Sequence, residues 1–477
     1  MSEKLSKDYN FIFKTFLKYL PSRACIIINS ILILPFFAYI LTSKEMATFQ
    51  LLIVILDLIC TYTTDWIAKS TLRFYEKYRI DDKLAEFYSY IITITGCMYI
   101  LIIATYCTIG DFVSSHFFIS KELLLVILFL IIPCGIRQFL YQLLRVFNRP
   151  FLYAFSIILY QLIHLCTFLI LFNFFDNVKA LLISMILAII IIDIYIIRKI
   201  SLNIKWKFIL DHNLAKEIVK YGLPTVITSF SLWLIAHVNK FIFQQAGLFH
   251  LTAISGLAWA YCSYIFKPLF STMLFSMFPI IINKFEHKVN TIDLTTRTIQ
   301  LYNALFIPII STFTIFSKEI VQTSFGIKYE EATILIPFFA ISMFIHDLLK
   351  IFNIKYHMKN KMYIEMIVTS FISIFSILLN FKLISIYGLI GCGIATLLST
   401  LLLFIIHRFI NLENFKYILT APIIKTSVKS IFICIALAPI IEILYNYSNI
   451  NFQILKPIFF LVSYYIICWK FKHKILT

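Results

Sequence analysis

The chain has 477 residues, of which 61% are hydrophobic and 14% charged, and its formal net charge is +18. Soluble domains sit near half apolar, so a soluble globular protein is excluded for want of polar surface. The 42 Lys and Arg fall in short segments between apolar runs, which argues against a nucleic-acid partner as the reason for the charge.

With about 20 apolar residues needed to cross a bilayer as a helix, the chain divides into about fourteen spans. They cover 22–42, 46–68, 84–109, 121–143, 151–174, 178–199, 218–245, 251–283, 298–317, 331–352, 362–382, 387–410, 424–445 and 453–470. The expected fold is an all-α polytopic membrane protein. Residues 1–20 form a basic, amphipathic lead-in, and no small-residue cleavage site follows, so no signal peptide is expected. Ten cysteines stand singly, without C-x-x-C or metal-ligand spacing, so neither disulfide nor metal nor other cofactor is expected.

Loop charge sets the orientation. With the N-terminus inside, the outer segments carry only Lys44, Lys121, Lys179, Lys318, Lys328, Lys382 and Lys456. Nearly all the remaining basic residues, Arg137 among them, are assigned to inner segments. Both termini are therefore expected on the cytoplasmic side.

The chain repeats itself. Lys18-Tyr19-Leu20-Pro21 opens the first span and Lys220-Tyr221-Gly222-Leu223-Pro224 the seventh, with prolines 203 residues apart. Leu143-Leu144-Arg145-Val146-Phe147-Asn148 leaves the fourth span and Leu348-Leu349-Lys350-Ile351-Phe352-Asn353 the tenth, 205 apart. Six spans separate equivalent points, so the halves run parallel, about an axis along the membrane normal. The expected domains are an N-lobe 1–200, a C-lobe 201–415 and a pair of helices with a cytoplasmic tail, 416–477.

Two lysines lie at membrane depth, Lys240 in the seventh span and Lys267 in the eighth. Such residues usually face a bundle interior or a watery cavity. Thr225, Ser229, Trp233, His237, Lys240 and Gln244 share a helix face at steps of three and four. Ser263, Lys267 and Ser271 share another, where Pro268 is expected to bend the helix. Lys240 and Lys267 are the leading cationic candidates, with Arg23, His237, Trp233 and Trp259 as further substrate-facing candidates. Asp57, near the middle of the second span, is the candidate ion-coupling acid. Each has a structural alternative: snorkelling or internal pairing for the lysines, a neighbouring helix partner for Asp57, a topology signal for Arg23, and packing for the tryptophans. His164, His346, Asp193 and Asp347 are further polar residues within spans.

Several stretches resemble the Wzx-type polysaccharide flippases of the multidrug/oligosaccharidyl-lipid/polysaccharide exporter superfamily. Leu34-Pro35 through Leu41-Thr42-Ser43-Lys44-Glu45-Met46-Ala47-Thr48-Phe49 resembles the family's first outer loop, and Arg73-Phe74 its basic-aromatic end of the second helix. Tyr221-Gly222-Leu223-Pro224 resembles the opening of its seventh helix, whose closing Asp-Arg pair is Asn239-Lys240 here. Phe325-Gly326-Ile327-Lys328-Tyr329-Glu330-Glu331-Ala332 resembles the stretch before its tenth helix. Tyr387-Gly388-Leu389-Ile390-Gly391-Cys392-Gly393-Ile394-Ala395-Thr396-Leu397-Leu398-Ser399 resembles its twelfth-helix signature.

The resemblance implies two parallel six-helix lobes plus two C-terminal helices. It also implies a bacterial cytoplasmic-membrane flippase for an undecaprenyl-pyrophosphate-linked oligosaccharide, in O-antigen, capsule or exopolysaccharide assembly. Membrane lipid, and a polymerase and chain-length proteins of the same pathway, are the partners it suggests. The alternatives are a drug or other small-molecule exporter of the same superfamily, and a membrane glycan polymerase. The short outer loops and the want of a nucleophile–base arrangement argue against an enzyme.

Overall fold

A computed structural model describes residues 31–68, 83–147, 149–200, 212–286, 292–358, 361–410, 421–447 and 455–470, with 27, 75 and 78–80. Every long element among them is α-helical. In hydrocarbon a segment must satisfy its own backbone hydrogen bonds, and a helix does so without a neighbour.

The helices are α1 (Ile31–Ile40), α2 (Ser43–Ala68), α3 (Leu84–Phe117), α4 (Lys121–Val146), α5 (Pro150–Leu171), α6 (Asn177–Ile200) and α7 (His212–Gln245). There follow α8 (Phe249–Glu286), α9 (Ile292–Ile315), the short α10 (Ser317–Phe325), α11 (Ala332–Met358), α12 (Met362–Ile410), α13 (Ala421–Tyr447) and α14 (Leu455–Lys470). Ten helices among the described residues are long and apolar enough to cross a membrane. This is the expected all-α polytopic architecture, with spans in the expected order.

Three local departures have physical causes. First, α3 continues to Phe117, past the expected end at 109, so the loop before α4 shrinks to 118–120. The helix stops where Phe118 adopts a left-handed conformation, φ 54°. Second, α2 contains a π-helical turn at Thr61–Asp65, a feature concentrated at functional sites. Thr63 and Thr64 hydroxyls donate to the carbonyls of Ile59 and Cys60. Third, no loop separates the eleventh and twelfth spans. α12 runs through both and breaks only at Gly388, φ 55° and ψ −126°, a backbone conformation open mainly to glycine. α8 runs as one helix through Pro268.

Helix starts follow their caps. The Thr42 side chain accepts from Glu45 N–H while Glu45 accepts from Thr42 N–H, a reciprocal box that opens α2. Glu45 also accepts from Asn177 Nδ2 at 2.8 Å, tying the N-terminal ends of α2 and α6.

The chain forms two compact units, dividing between Gly256 and Leu257. α7, which the sequence reading assigned to the C-lobe, lies within the first unit. There α2 packs on α4, α6 and α7, while α6 packs on α4 and α5. In the second unit α9 packs on α11 and α13, α11 on α12, and α13 on α14. The small-residue face Gly391, Ala395 and Ser399 is buried. Gly393 on the same helix meets the Phe338 ring of α11 so closely that a Cβ would lie 2.8 Å from it, as small residues allow in membrane helix pairs.

Two local side-chain bonds stand at the same 205-residue offset as the second of the sequence matches. In α4, Arg145 Nη1 donates to Gln142 Oε1 at 3.2 Å. In α11, 205 residues on, Lys350 Nζ donates to Asp347 Oδ1 at 3.1 Å.

Candidate functional site

The C-terminal half of the polar face of α7 is buried in the first unit, while Thr225 and Ser229 are half-buried. Trp233, His237, Asn239, Lys240 and Gln244 are all buried, and Lys240 is only 1% exposed. Trp233 Nε1 donates to Val54 O of α2 at 3.1 Å. Its ring stacks on Phe230 and lies 5.6 Å from both His237 and Phe241. Lys240 Nζ lies 2.8 Å from His237 Nδ1, one helical turn back. An ammonium has only donors to offer, so His237 Nδ1 is the acceptor of that contact. Gln244 Nε2 donates to Phe117 O at 2.9 Å. Snorkelling is therefore not the state of Lys240: its head is sequestered beside a histidine rather than extended to an interface.

Asp57 lies on the same α2 as Val54, and its side chain is exposed. It does not share the buried surroundings of Trp233, His237 and Lys240.

The second unit holds another charged group. Lys267 on α8 has an exposed side chain and acts electrostatically on Asp347 and His346 of α11. Asp347, 3% exposed, accepts from Lys350, and His346 Nδ1 is 3.9 Å from Asp347 Oδ1. Lys350 Nζ also lies 5.4 Å from the centre of the Phe270 ring. Beneath them, buried Tyr302 donates to Phe344 O and stacks on Phe306 and Phe344. Trp259 is half-buried, its ring packed edgewise on Phe339 at 5.3 Å, which is a packing contact. Arg23, the Lys18–Pro21 repeat and Arg73-Phe74 lie outside the described residues.

So Trp233, His237 and Lys240 stand together in the first unit, while Lys267 stands in the second with Asp347, His346 and Lys350. The opposite charges of Lys267 and Asp347, both within apolar spans, were the signal for that second grouping.

A third group was missed. Arg137 was assigned to an inner segment as a topology signal, yet it lies nine residues inside the end of α4, about 13 Å at 1.5 Å per residue. Its guanidinium carbon sits 4.5 Å from the centre of the Tyr160 ring. Tyr160 stacks on His164, and Asp193 of α6 interacts with Arg137 electrostatically. The legible signal was the depth of Arg137 within its own apolar run. Among the described residues no three His, Cys, Asp or Glu gather closely enough to hold a metal ion.

The architecture is that of polytopic membrane flippases and multidrug transporters. No family model matches the sequence, and no curated protein matches it. Solved structures do. One is the lipid II flippase MurJ in an inward closed conformation, 15% identical, with TM-score 0.68 over 95% of this chain and 98% of that one. Another is an inward-facing multidrug resistance MATE family transporter of the MOP superfamily, 11% identical, with TM-score 0.55 over 86% and 95%. The Vibrio cholerae MATE transporter VcmN, in a mutant form, is 12% identical with TM-score 0.52 over 86% and 98%. At these identities the likeness establishes a shared fold.

Proposed function

We propose that this chain is a flippase of the Wzx type. It moves an undecaprenyl-pyrophosphate-linked oligosaccharide across the bacterial cytoplasmic membrane for O-antigen, capsule or exopolysaccharide assembly. The observation that carries the reading is Lys267, an exposed cation in the middle of an apolar 38-residue helix, on a fold shared with a lipid II flippase. A lipid-linked oligosaccharide needs a route through hydrocarbon for a charged pyrophosphate and a polar glycan. A lysine ammonium supplies point-charge recognition of phosphate. The parallel repeat suits alternating access, with both termini cytoplasmic. Lys240 and His237 form a second, buried group, and the exposed ring of Tyr264 offers aromatic surface to sugars. A polymerase and chain-length proteins of the same pathway are the partners this role implies.

The test is surface-polysaccharide display in a deletion strain. It is complemented with wild type, Lys267→Ala or Lys267→Arg, at membrane levels matched by immunoblot. The reading expects loss on deletion, and more display with Lys267→Arg than with Lys267→Ala. Surface glycan undiminished by the deletion sinks the flippase. Full rescue by Lys267→Ala leaves the function standing and removes Lys267 from the site.

A further inference from the structure

Within the first unit, α2 to α6 enclose a polar cluster that neither the proposed site nor the repeat uses. Asp193 projects from α6 and is 5% exposed. Both its carboxylate oxygens are buried and accept no hydrogen bond. Arg137 of α4 is close enough to interact with it electrostatically, yet the two form no ion pair. The guanidinium lies instead on the face of Tyr160, 4.5 Å from the ring centre.

That arrangement fits one charge state. An ionised carboxylate at membrane depth demands hydrogen bonds or a counter-ion. With an arginine in the same cluster, an ionised Asp193 would draw the guanidinium to itself, because bidentate Arg–carboxylate pairing is among the strongest contacts available. A neutral acid exerts no such pull, and a cation then does better on an aromatic face.

The surroundings hold one further carboxylate, the exposed Asp57 of α2, which acts electrostatically on Cys60. From α4, Cys134 and Tyr141 face the pair, with Arg145 farther along bonded to Gln142. α5 contributes Tyr160, His164 and Tyr153. Tyr99 comes from α3 and Cys60 from α2, where Cys60 contacts Cys134. Apart from Asp57, His164 and the two arginines, the groups around the pair are hydroxyls and thiols. A metal cation is a poor occupant, since the arginine repels it and no three-ligand group stands there among the described residues.

We propose that Asp193 is a proton-binding group of the first unit and that Arg137 reads its charge. With Asp193 protonated, the guanidinium rests on Tyr160. When the proton passes to water, the carboxylate takes the guanidinium from Tyr160. Because Arg137 stands on α4 and Asp193 on α6, helices packed on each other, the exchange changes how these helices are tied. The exposed Asp57 is replaced by Asp193 as the ion-coupling acid. The inference rests on the transport reading for its role in coupling, and on the cluster alone for its protonation.

Two measurements separate these. The first is the pH-difference infrared spectrum of the purified chain in lipid. A carboxylic-acid C=O band that titrates is expected in wild type, lost in Asp193→Asn, and shifted to higher pH in Arg137→Gln. A wild-type spectrum without such a band, or one that Asp193→Asn leaves intact, overturns the proposal. The second is polysaccharide display in the complemented deletion strain. Asp193→Asn, which stays neutral, is expected to lose display at equal membrane abundance, and Asp193→Glu to retain it. Wild-type display by Asp193→Asn overturns the coupling role. If the deletion itself leaves surface glycan unchanged, the transport reading fails, while the infrared result still decides the protonation.

Discussion

Two glycines on neighbouring helices make a controlled comparison. An added Cβ at Gly135 on α4 would strike the Tyr99 hydroxyl and come within 2.6 Å of Thr64 Cγ2. Both neighbours are anchored: Tyr99 Oη donates to Ile132 O at 3.1 Å, and Thr64 Oγ1 donates to Gln138 Oε1 at 2.8 Å from the π turn. An added Cβ at Gly96 on α3 meets nothing within 4 Å. Overpacking costs about 1–3 kcal/mol, and loss of the Tyr99 hydrogen bond adds roughly 1 kcal/mol. Replacing a helical glycine by alanine returns about 1 kcal/mol in helix propensity at either position. Gly135→Ala is therefore expected to destabilise by a net ~1–3 kcal/mol, and Gly96→Ala to be neutral or stabilising by up to ~1 kcal/mol. Thermal unfolding of both purified variants in one detergent, followed by tryptophan fluorescence, gives the order directly. Equal midpoints for the two variants, or Gly135→Ala at or above wild type, would refute the close packing at the π turn.

Further substitutions probe other parts of the molecule. His237→Phe keeps an aromatic ring against Trp233 but removes the acceptor 2.8 Å from the Lys240 ammonium; a loss of roughly 1.5–3 kcal/mol is expected, as for a hydrogen bond to a charged group, read by the same thermal assay. Thr42→Ala should cost about 1 kcal/mol by opening the N-terminal box of α2. Adding Glu45→Ala should cost less than its effect in the wild-type background, because the two residues bond each other. Gly388→Ala meets no atom within 4 Å, so its penalty is conformational, about 1–3 kcal/mol for the strained backbone. A thermal midpoint equal to wild type would argue against a break in α12 at that residue.

Much of the architecture could be read directly because it depends on local chemistry. Apolar run length sets the spans, while the Thr42–Glu45 box opens α2 at Ser43, three residues before the expected start at 46. The break at Gly388 falls just inside the expected twelfth span, past the loop expected at 383–386, as one conformationally special residue in a continuous helix. The loop before α4 is shorter than expected because α3 carries its helix past Gly110 to Phe117.

The α6 helix shows where reading the chain stops. Its Ile189, Ile192 and Ile196 are buried, while Ile190, Ile191, Ile194 and Ile197 are exposed, although all are isoleucine. Lipid and protein core are both apolar, so hydropathy does not distinguish the faces of a membrane helix as it does those of a water-soluble one. Among these residues Asp193 alone signalled the inward face. Partner choice was equally hidden. Lys240 lies beside His237 on its own helix, Lys267 near Asp347 some 80 residues away, and Arg137 over Tyr160, although all three are single cations in apolar runs.

The sequence by itself determined the helical class, the order of the spans and the presence of charges that hydrocarbon does not tolerate alone. Those follow from transfer of residues between water and lipid, a property of each segment. Only the tertiary structure decided which charges meet, which acid is left without a hydrogen bond and which lysine is buried. Those depend on the mutual rotation of packed helices, which apolar side chains facing an apolar solvent leave almost unspecified.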